Sequence, residues 1–479
     1  MEKVKTDILV IGGGASGMAA AAAASEQNVK VMVAESKGSV GGNGLFPRGI
    51  FAVGSPIQKQ KLIFADKDEV FRDCMNYSHW KIDGRIIRAL IEKSGDTIKW
   101  LMDMGVEFYD VVHHIPNQNP EVFHITSPKE NAGRVVMRTL ERVCRERGVD
   151  IRTATPAKSL ITDGKKVTGA VLSPKDGEDI EVTAGKVIIC SGGFAGNEEM
   201  IKEYLPEYDP ERIAHNVGML SKGDGLRMAK EAGADIEGNF TMEMASPKIT
   251  GHAPLNLLLG KPYNVWLNSF GKRFCDEGIV YNFALAANAA LRQPGAVVYV
   301  FFNEAMIQRT LRDGRDMIEL IHIPEDAESK LQSEIEAAQK DGTLCKASDL
   351  SGIADFMGVK LEDLEDEIWE YNTFCMGGRD KLFAKDIRYL HEMKDGPFYC
   401  VKAGVDMLIT HGGIRVDEYF NALDKDQLPV ENLFAAGVDF GGADADIYNV
   451  NMSGHGFGFA LNSGRIAGET AAMEIKNQG

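Results

Sequence analysis

Gly12, Gly14 and Gly17 stand in a G-x-G-x-x-G spacing, and Glu35 follows at a distance of about twenty residues. That combination suits the pyrophosphate and ribose of a dinucleotide. The first glycine permits a tight turn, the second lets backbone approach the pyrophosphate, and the third lets a helix lie close to the preceding strand. Ala15 and Ser16 fall inside the same turn and belong to the expected binding set. A carboxylate at Glu35 accepts hydrogen bonds from an adenosine ribose. Further on, Gly41, Gly42, Asn43 and Gly44 offer backbone that can pass under a phosphate or a flat ring. His113, His114 and His124 lie in a stretch, 107–130, that reads as irregular, where a histidine is either an exposed polar residue or an acid–base group.

The elements that must position these residues are legible around them. Thr6 to Ile11 is a short apolar, β-branched run, as in a strand buried on both faces of a parallel sheet. Met18 to Ala24 is almost pure alanine, a strong helix former with little bulk. Val29 to Ala34 is a second strand ending on Glu35. With 479 residues the chain exceeds one small core, so two domains are expected. A formal charge of −17 argues against nucleic acid or an anionic membrane as partner. Seven scattered cysteines include no C-x-x-C pair, so neither a disulfide framework nor a metal site is expected. No apolar run is long enough to span a bilayer, and no signal sequence precedes the first strand, which predicts a cytoplasmic protein without membrane insertion.

Gly41-Gly42-Asn43, following the acidic strand end, resembles the flavin-binding loop of the fumarate reductase and succinate dehydrogenase flavoproteins. Their soluble relatives include flavocytochrome c, urocanate reductase and the 3-ketosteroid dehydrogenases. The resemblance covers the whole chain and implies non-covalent FAD. It also implies an α/β fold: a Rossmann-like FAD-binding domain over 1–236 and 377–479, with an inserted α+β capping domain over 237–376. Ala157 sits where the family's backbone meets the adenine. Ser191-Gly192-Gly193-Phe194 is similar to a family turn that returns to the flavin, although the residues alone show only a strand followed by a glycine turn. Gly437 and Asp439 follow the strand 432–436, and the acid corresponds to one that hydrogen-bonds the ribitol chain. Gly454, Gly456 and Phe457 open the last helix, whose unpaired N–H groups and partial positive charge would stabilise the anionic reduced ring.

The departures from the family concern the substrate. Its arginine and histidines that clamp two carboxylates are replaced by Asn451, Ile409 and Ser246. A dicarboxylate needs cationic, preferably bidentate partners, so fumarate is not the expected substrate. After Asn268-Ser269-Phe270-Gly271-Lys272-Arg273-Phe274-Cys275-Asp276-Glu277, where fumarate reductases place a proton-donating arginine, this chain has Tyr281. The 3-ketosteroid dehydrogenases resemble it there, with a catalytic tyrosine at the same spacing. Tyr281 is either that acid–base group or a packing residue of the cap. Tyr448 offers a second phenol for a substrate carbonyl, and His455 either touches flavin or substrate or caps the helix. The resemblance thus implies an FAD-dependent reductase or dehydrogenase acting on a C=C bond beside a carbonyl, with a neutral, partly apolar small-molecule substrate such as an enone, cyclic ketone or steroid. Electrons would come from a redox protein or a reduced nicotinamide. The alternative is a flavin subunit that passes electrons to a protein partner.

Overall fold

The apolar run Thr6–Ile11 ends a ten-residue strand, β1 (Glu2–Ile11), and its last four residues are buried. The computed structural model describes residues 2–478 apart from 114, 117–119, 128–129, 216–220, 316–323 and 325. Helix α1 (Ala15–Ser25) follows, then β2 (Val31–Ala34), β3 (Asp150–Arg152), β4 (Ala157–Asp163), β5 (Lys166–Leu172) and β6 (Ile180–Ile189). Near the end of the chain come β7 (Asn421–Leu423), β8 (Pro429–Ala435) and helix α2 (His455–Gln478). These strands form one sheet in the order β7–β8–β5–β6–β1–β2–β3, with β4 added antiparallel on β5. β1 runs parallel to both β2 and β6, as expected for strands buried on two faces.

Every residue of α1 is buried. A Cβ on Gly17 would stand 1.8 Å from the Gly12 carbonyl oxygen, which is why this position tolerates no side chain. Helix α2 packs on α1 just as closely: Cβ atoms on Gly464 and Gly468 would meet the Ser16 and Ala20 carbonyl oxygens at 2.1 and 2.3 Å. The alanine run therefore serves close helix–helix approach as well as helix propensity. The stretch 107–130, read as irregular, contributes the short strands Asp110–Val112 and Phe123–Ile125, which pair with each other and, through Phe123–Ile125, with Ile50–Phe51.

The chain divides into two compact units, Met1–Tyr208 with Val217–Glu243 and Ile409–Gly479, and Asp209–Asn216 with Met244–Leu408. The sequence places the return to the first unit near 377, whereas the structure places it at Ile409. The reason is the strand Phe398–His411, whose residues 398–403 pair antiparallel with Val298–Asn303 of the second unit. Leu344–Ala347 pairs with the same strand, and Val265–Leu267 continues the sheet beyond Val298–Asn303. Among the described residues no helix is long and apolar enough to cross a membrane.

Candidate active site

The first unit gathers the glycine turn and its expected neighbours. Gly12 has φ +106°, and a Cβ there would strike the Cys190 carbonyl oxygen at 2.1 Å, so strand end and turn leave room for glycine alone. A Cβ on Gly14, by contrast, meets nothing within 4 Å. That open side is where a pyrophosphate can approach backbone. Gly41 donates its N–H to the Gly13 carbonyl at 2.8 Å, which lays Gly41–Gly44 against the turn. Glu35 is buried and accepts from Gly13 N and Lys37 N, both at 2.7 Å, so its carboxylate already braces the turn. The Glu35 carbonyl accepts from Thr155 N at 2.8 Å, bringing the start of β4 with Ala157 alongside.

A second group forms where β6 and β8 end. Asp439 is fully enclosed and accepts from Ser191 Oγ at 3.0 Å, Gly192 N at 2.8 Å and Gly193 N at 3.1 Å. Burial raises its pKa against the pull of those donors. Gly437 donates to Ser463 Oγ at 3.0 Å, and Thr410 Oγ1 accepts from Phe194 N at 3.1 Å. Asp439 thus ties Ser191–Gly193 to the turn at Gly437, and Gly437 borders the same cavity as Gly456, next to His455 at the start of α2.

Beside them lies a cluster whose centre the sequence does not reveal. Asp444 is buried between two imidazoles: His455 Nε2 at 3.0 Å and His411 Nδ1 at 3.1 Å. Burial would raise the Asp444 carboxyl, but His455 and His411 hold it well below the usual carboxylate range. Burial would likewise push His411 down, yet Asp444 and then Glu243 hold it up at about 9. His455 Nδ1 lies 3.2 Å from the Met452 carbonyl, so both its ring nitrogens face acceptors. Its ring stacks on Tyr448 at 4.2 Å between centroids. The Tyr448 hydroxyl accepts the Gly456 N–H at 3.3 Å. Burial first, and then the nearby Glu243 and Asp444, raise its pKa well above that of an ordinary phenol, which keeps the proton on. His411, Gly412, Gly437, Asp444, His455 and Gly456 border one cavity, and among the described residues no arginine or lysine lines it. His411 was visible only as the variable residue of a Thr-x-Gly-Gly turn, and Asp444 carried no motif at all.

Tyr281 belongs to the second unit, at the end of a 3-10 turn, Glu277–Tyr281. It is half-buried, with its ring centroid 6.2 Å from that of Tyr389. The turn is anchored by an enclosed ion network. Arg273 grips Glu277 at 3.0 and 2.9 Å and Asp380 at 2.9 Å, while Lys385 reaches Glu277 at 3.1 Å. Glu277 also accepts from Trp266 N at 3.1 Å. Burial opposes its ionisation, but Lys385 and Arg273 more than offset that and keep it anionic. Ser246, also in this unit, donates to the Gly404 carbonyl at 3.0 Å, and Asn451 in the first unit is exposed. Of the loop histidines, His124 is buried on its strand against Ser55 Oγ at 2.7 Å. Burial lowers its pKa to about 4, so it is a neutral structural group. His113 pairs with Glu121 at 3.1 Å, and His114 lies outside the described residues.

The FAD binding domain family matches residues 7–449 of the chain. The chain belongs to this family. A vinyl phenol reductase of Lactiplantibacillus plantarum is 32% identical over 98% of this chain and 97% of its own length. The cytochrome-type fumarate reductase of Shewanella frigidimarina is 24% identical over 98% of this chain and 77% of its own. Two solved structures share the fold. The open conformation of a flavocytochrome c3 fumarate reductase has TM-score 0.76 and 24% identity, covering 98% of this chain and 79% of that one. The 3-ketosteroid Δ1-dehydrogenase of Sterolibacterium denitrificans, in complex with 1,4-androstadiene-3,17-dione, has TM-score 0.79 and 20% identity, covering 98% and 100%. This family member is therefore an FAD-dependent oxidoreductase that acts on carbon–carbon double bonds. The open side of Gly14 fits that cofactor.

Proposed function

We propose that this flavoprotein reduces a conjugated C=C bond in a neutral, partly apolar substrate. The observation that carries this reading is the cavity at the start of α2, whose charged groups are two imidazoles and the Asp444 carboxylate between them. Two carboxylates brought there would find no cation not already paired with Asp444 and would lose several kcal/mol, which amounts to orders of magnitude in specificity. The relative named for vinyl phenol, a neutral alkene, supports the same direction.

Gly12–Gly17, Glu35 and Gly41–Gly44 would hold the diphosphate half of FAD, with Ala157 at the adenine. Ser191–Gly193, Gly437, Asp439, Gly454, Gly456 and Phe457 would hold the flavin half, non-covalently. Bound and reduced, FAD supplies the hydride. Tyr281 delivers the proton to the other carbon of the double bond. A phenol with pKa near ~10 holds its proton at neutral pH, yet gives it up to a carbanion of similar or higher basicity. Tyr448, kept protonated, donates a hydrogen bond to substrate oxygen. His455, with both nitrogens engaged, fixes Asp444.

The test is anaerobic photoreduction of the holoenzyme followed by mixing with a panel of neutral conjugated alkenes. Return of the oxidised flavin spectrum with a small molecule alone is the expected result. Reoxidation only by a protein acceptor overturns it.

A further inference from the structure

The Nε2 atom of His411 is enclosed and makes no hydrogen bond among the described residues. It stands 3.7 Å from Glu243 Oε2, too far for a bond between them but close enough for one oxygen atom to touch both. The other ring nitrogen is committed to Asp444, which can only accept, so His411 carries its proton on that side. The imidazolium state, favoured by Asp444, places a second N–H on Nε2. Gly456 lies directly beside the pair: a Cβ there would stand 3.2 Å from the Tyr448 hydroxyl and 3.7 Å from Glu243 Oε2.

A donor and a carboxylate side by side select for what they can both bind. A ketone oxygen only accepts and would turn its lone pairs on Glu243. A carboxylate would set its charge against Glu243 and Asp444. A hydroxyl accepts from one and donates to the other through a single atom. The rings of Tyr448, His455 and Phe459 supply aromatic surface next to the pair. We propose that Glu243 and His411 bind the hydroxyl of a phenol whose ring carries the alkene to be reduced. The proposal rests on the C=C reductase reading above and names its substrate class.

The chemistry explains why the hydroxyl must be held. A vinyl group on a phenol is electron-rich and resists hydride until it is polarised. Glu243 takes the phenol proton, and the O–H bonding pair moves through the ring to the terminal alkene carbon. That carbon forms its new C–H bond with a proton from the acid assigned above. The substrate is now a neutral quinone methide, whose benzylic carbon accepts the hydride, and the ring regains aromaticity. The resulting phenolate, hydrogen-bonded by His411, recovers its proton from Glu243. In sum one hydride and one proton enter the double bond, the phenol is unchanged, and solvent restores the acid.

Anaerobic calorimetric titration of the oxidised holoenzyme, which has no acceptor for a second turnover, reads the site without sustained catalysis. The probes are 4-ethylphenol and its methyl ether, 4-ethylanisole. The phenol is expected to bind roughly ten- to hundredfold more tightly, the worth of hydrogen bonds to charged groups. His411→Leu and Glu243→Leu should each cut that preference severalfold, the loss of one of its two hydrogen bonds, while the ether's affinity changes little. Equal affinities in the wild type overturn the proposal, and this comparison needs no variant to fold. A preference undiminished in either folded variant also overturns it. Should neutral enones reoxidise the reduced flavin while phenol and ether bind alike, the reductase reading stands and the phenol assignment falls. Should the phenol be preferred while no alkene reoxidises the flavin, the reading of function falls instead.

Discussion

Two sets of buried charges organise this protein, and they are built from different materials. In the second unit Arg273, Glu277, Asp380 and Lys385 form a network whose partners are all close. Arg273 does not titrate in any accessible range, and Glu277 is held ionised by Lys385 and Arg273 against its burial. In the first unit His411, Asp444 and His455 form a network around imidazoles, one of them with a nitrogen left open beside a cavity. The lesson is that burial of charge alone does not mark a site. A network whose arginine and lysine hold its carboxylates ionised is scaffold, even though Arg273 Nη1 has no hydrogen-bond partner among the described residues. A network of imidazoles around a carboxylate that borders a cavity is where chemistry belongs.

The largest effect should come from a residue that the scaffold carries. Tyr281→Phe should keep FAD and folding but lose roughly 10²–10⁴-fold in turnover, the contribution of a positioned acid. Flavin reduction by an artificial donor should be nearly unchanged in this variant. Wild-type turnover in it would reduce the 3-10 turn to scaffold only. Next comes Glu277→Gln, which leaves Arg273 and Lys385 short of an anion and should cost about 3–5 kcal/mol of stability. Denaturant unfolding measures this, and a loss below about 1 kcal/mol would break the contrast between the two networks.

The smaller effect is one of pH. His411 has its pKa raised to about 9 from an ordinary value near 6.5, so its stabilisation is complete below pH ~6.5 and is lost as pH rises through about 9. Asp444, being depressed, contributes above the usual carboxylate range and loses its contribution only in acid. A His411→Gln variant should therefore differ from wild type by at most about 3 kcal/mol at pH 6.5, and the gap should close towards pH 9.5. Thermal unfolding across that range checks it. A gap that stays constant with pH would show that His411 acts by packing and not by charge. The least perturbing check is acid precipitation, which should release FAD into the supernatant. Flavin left on the polypeptide would mean a covalent link.

The nucleotide end was legible because its signals are local. Gly12, Gly14 and Gly17 lie within one turn, and the alanine run shows α1 directly. The Gly464 and Gly468 pair that meets α1 lies at the other end of the chain but within one helix. The Arg273–Glu277 pair was not legible, because Arg273 lies on an isolated bridge to Leu267 and Glu277 opens a separate 3-10 turn. The cluster around Asp444 was not legible, because its members come from the Thr410-His411 turn, a motif-free loop and the start of α2, and only tertiary packing joins them. His124 was misleading for the converse reason: it lies in a stretch that reads as irregular, yet strand pairing buries it. The return to the first unit was placed too early, since pairing of Phe398–Ala403 is invisible without its partner Val298–Asn303.

The central claim is that the substrate end is made for a neutral molecule although the cofactor end is that of its fumarate-reducing relatives. Anaerobic single-turnover reoxidation of the reduced holoenzyme, comparing fumarate with a neutral conjugated alkene such as 4-vinylphenol or cyclohexenone, tests it most directly. The account predicts that the neutral alkene reoxidises the flavin at least about a hundredfold faster at equal concentration, since each carboxylate left without a cation costs several kcal/mol. Fumarate reoxidising the flavin as fast as the best neutral alkene would contradict it.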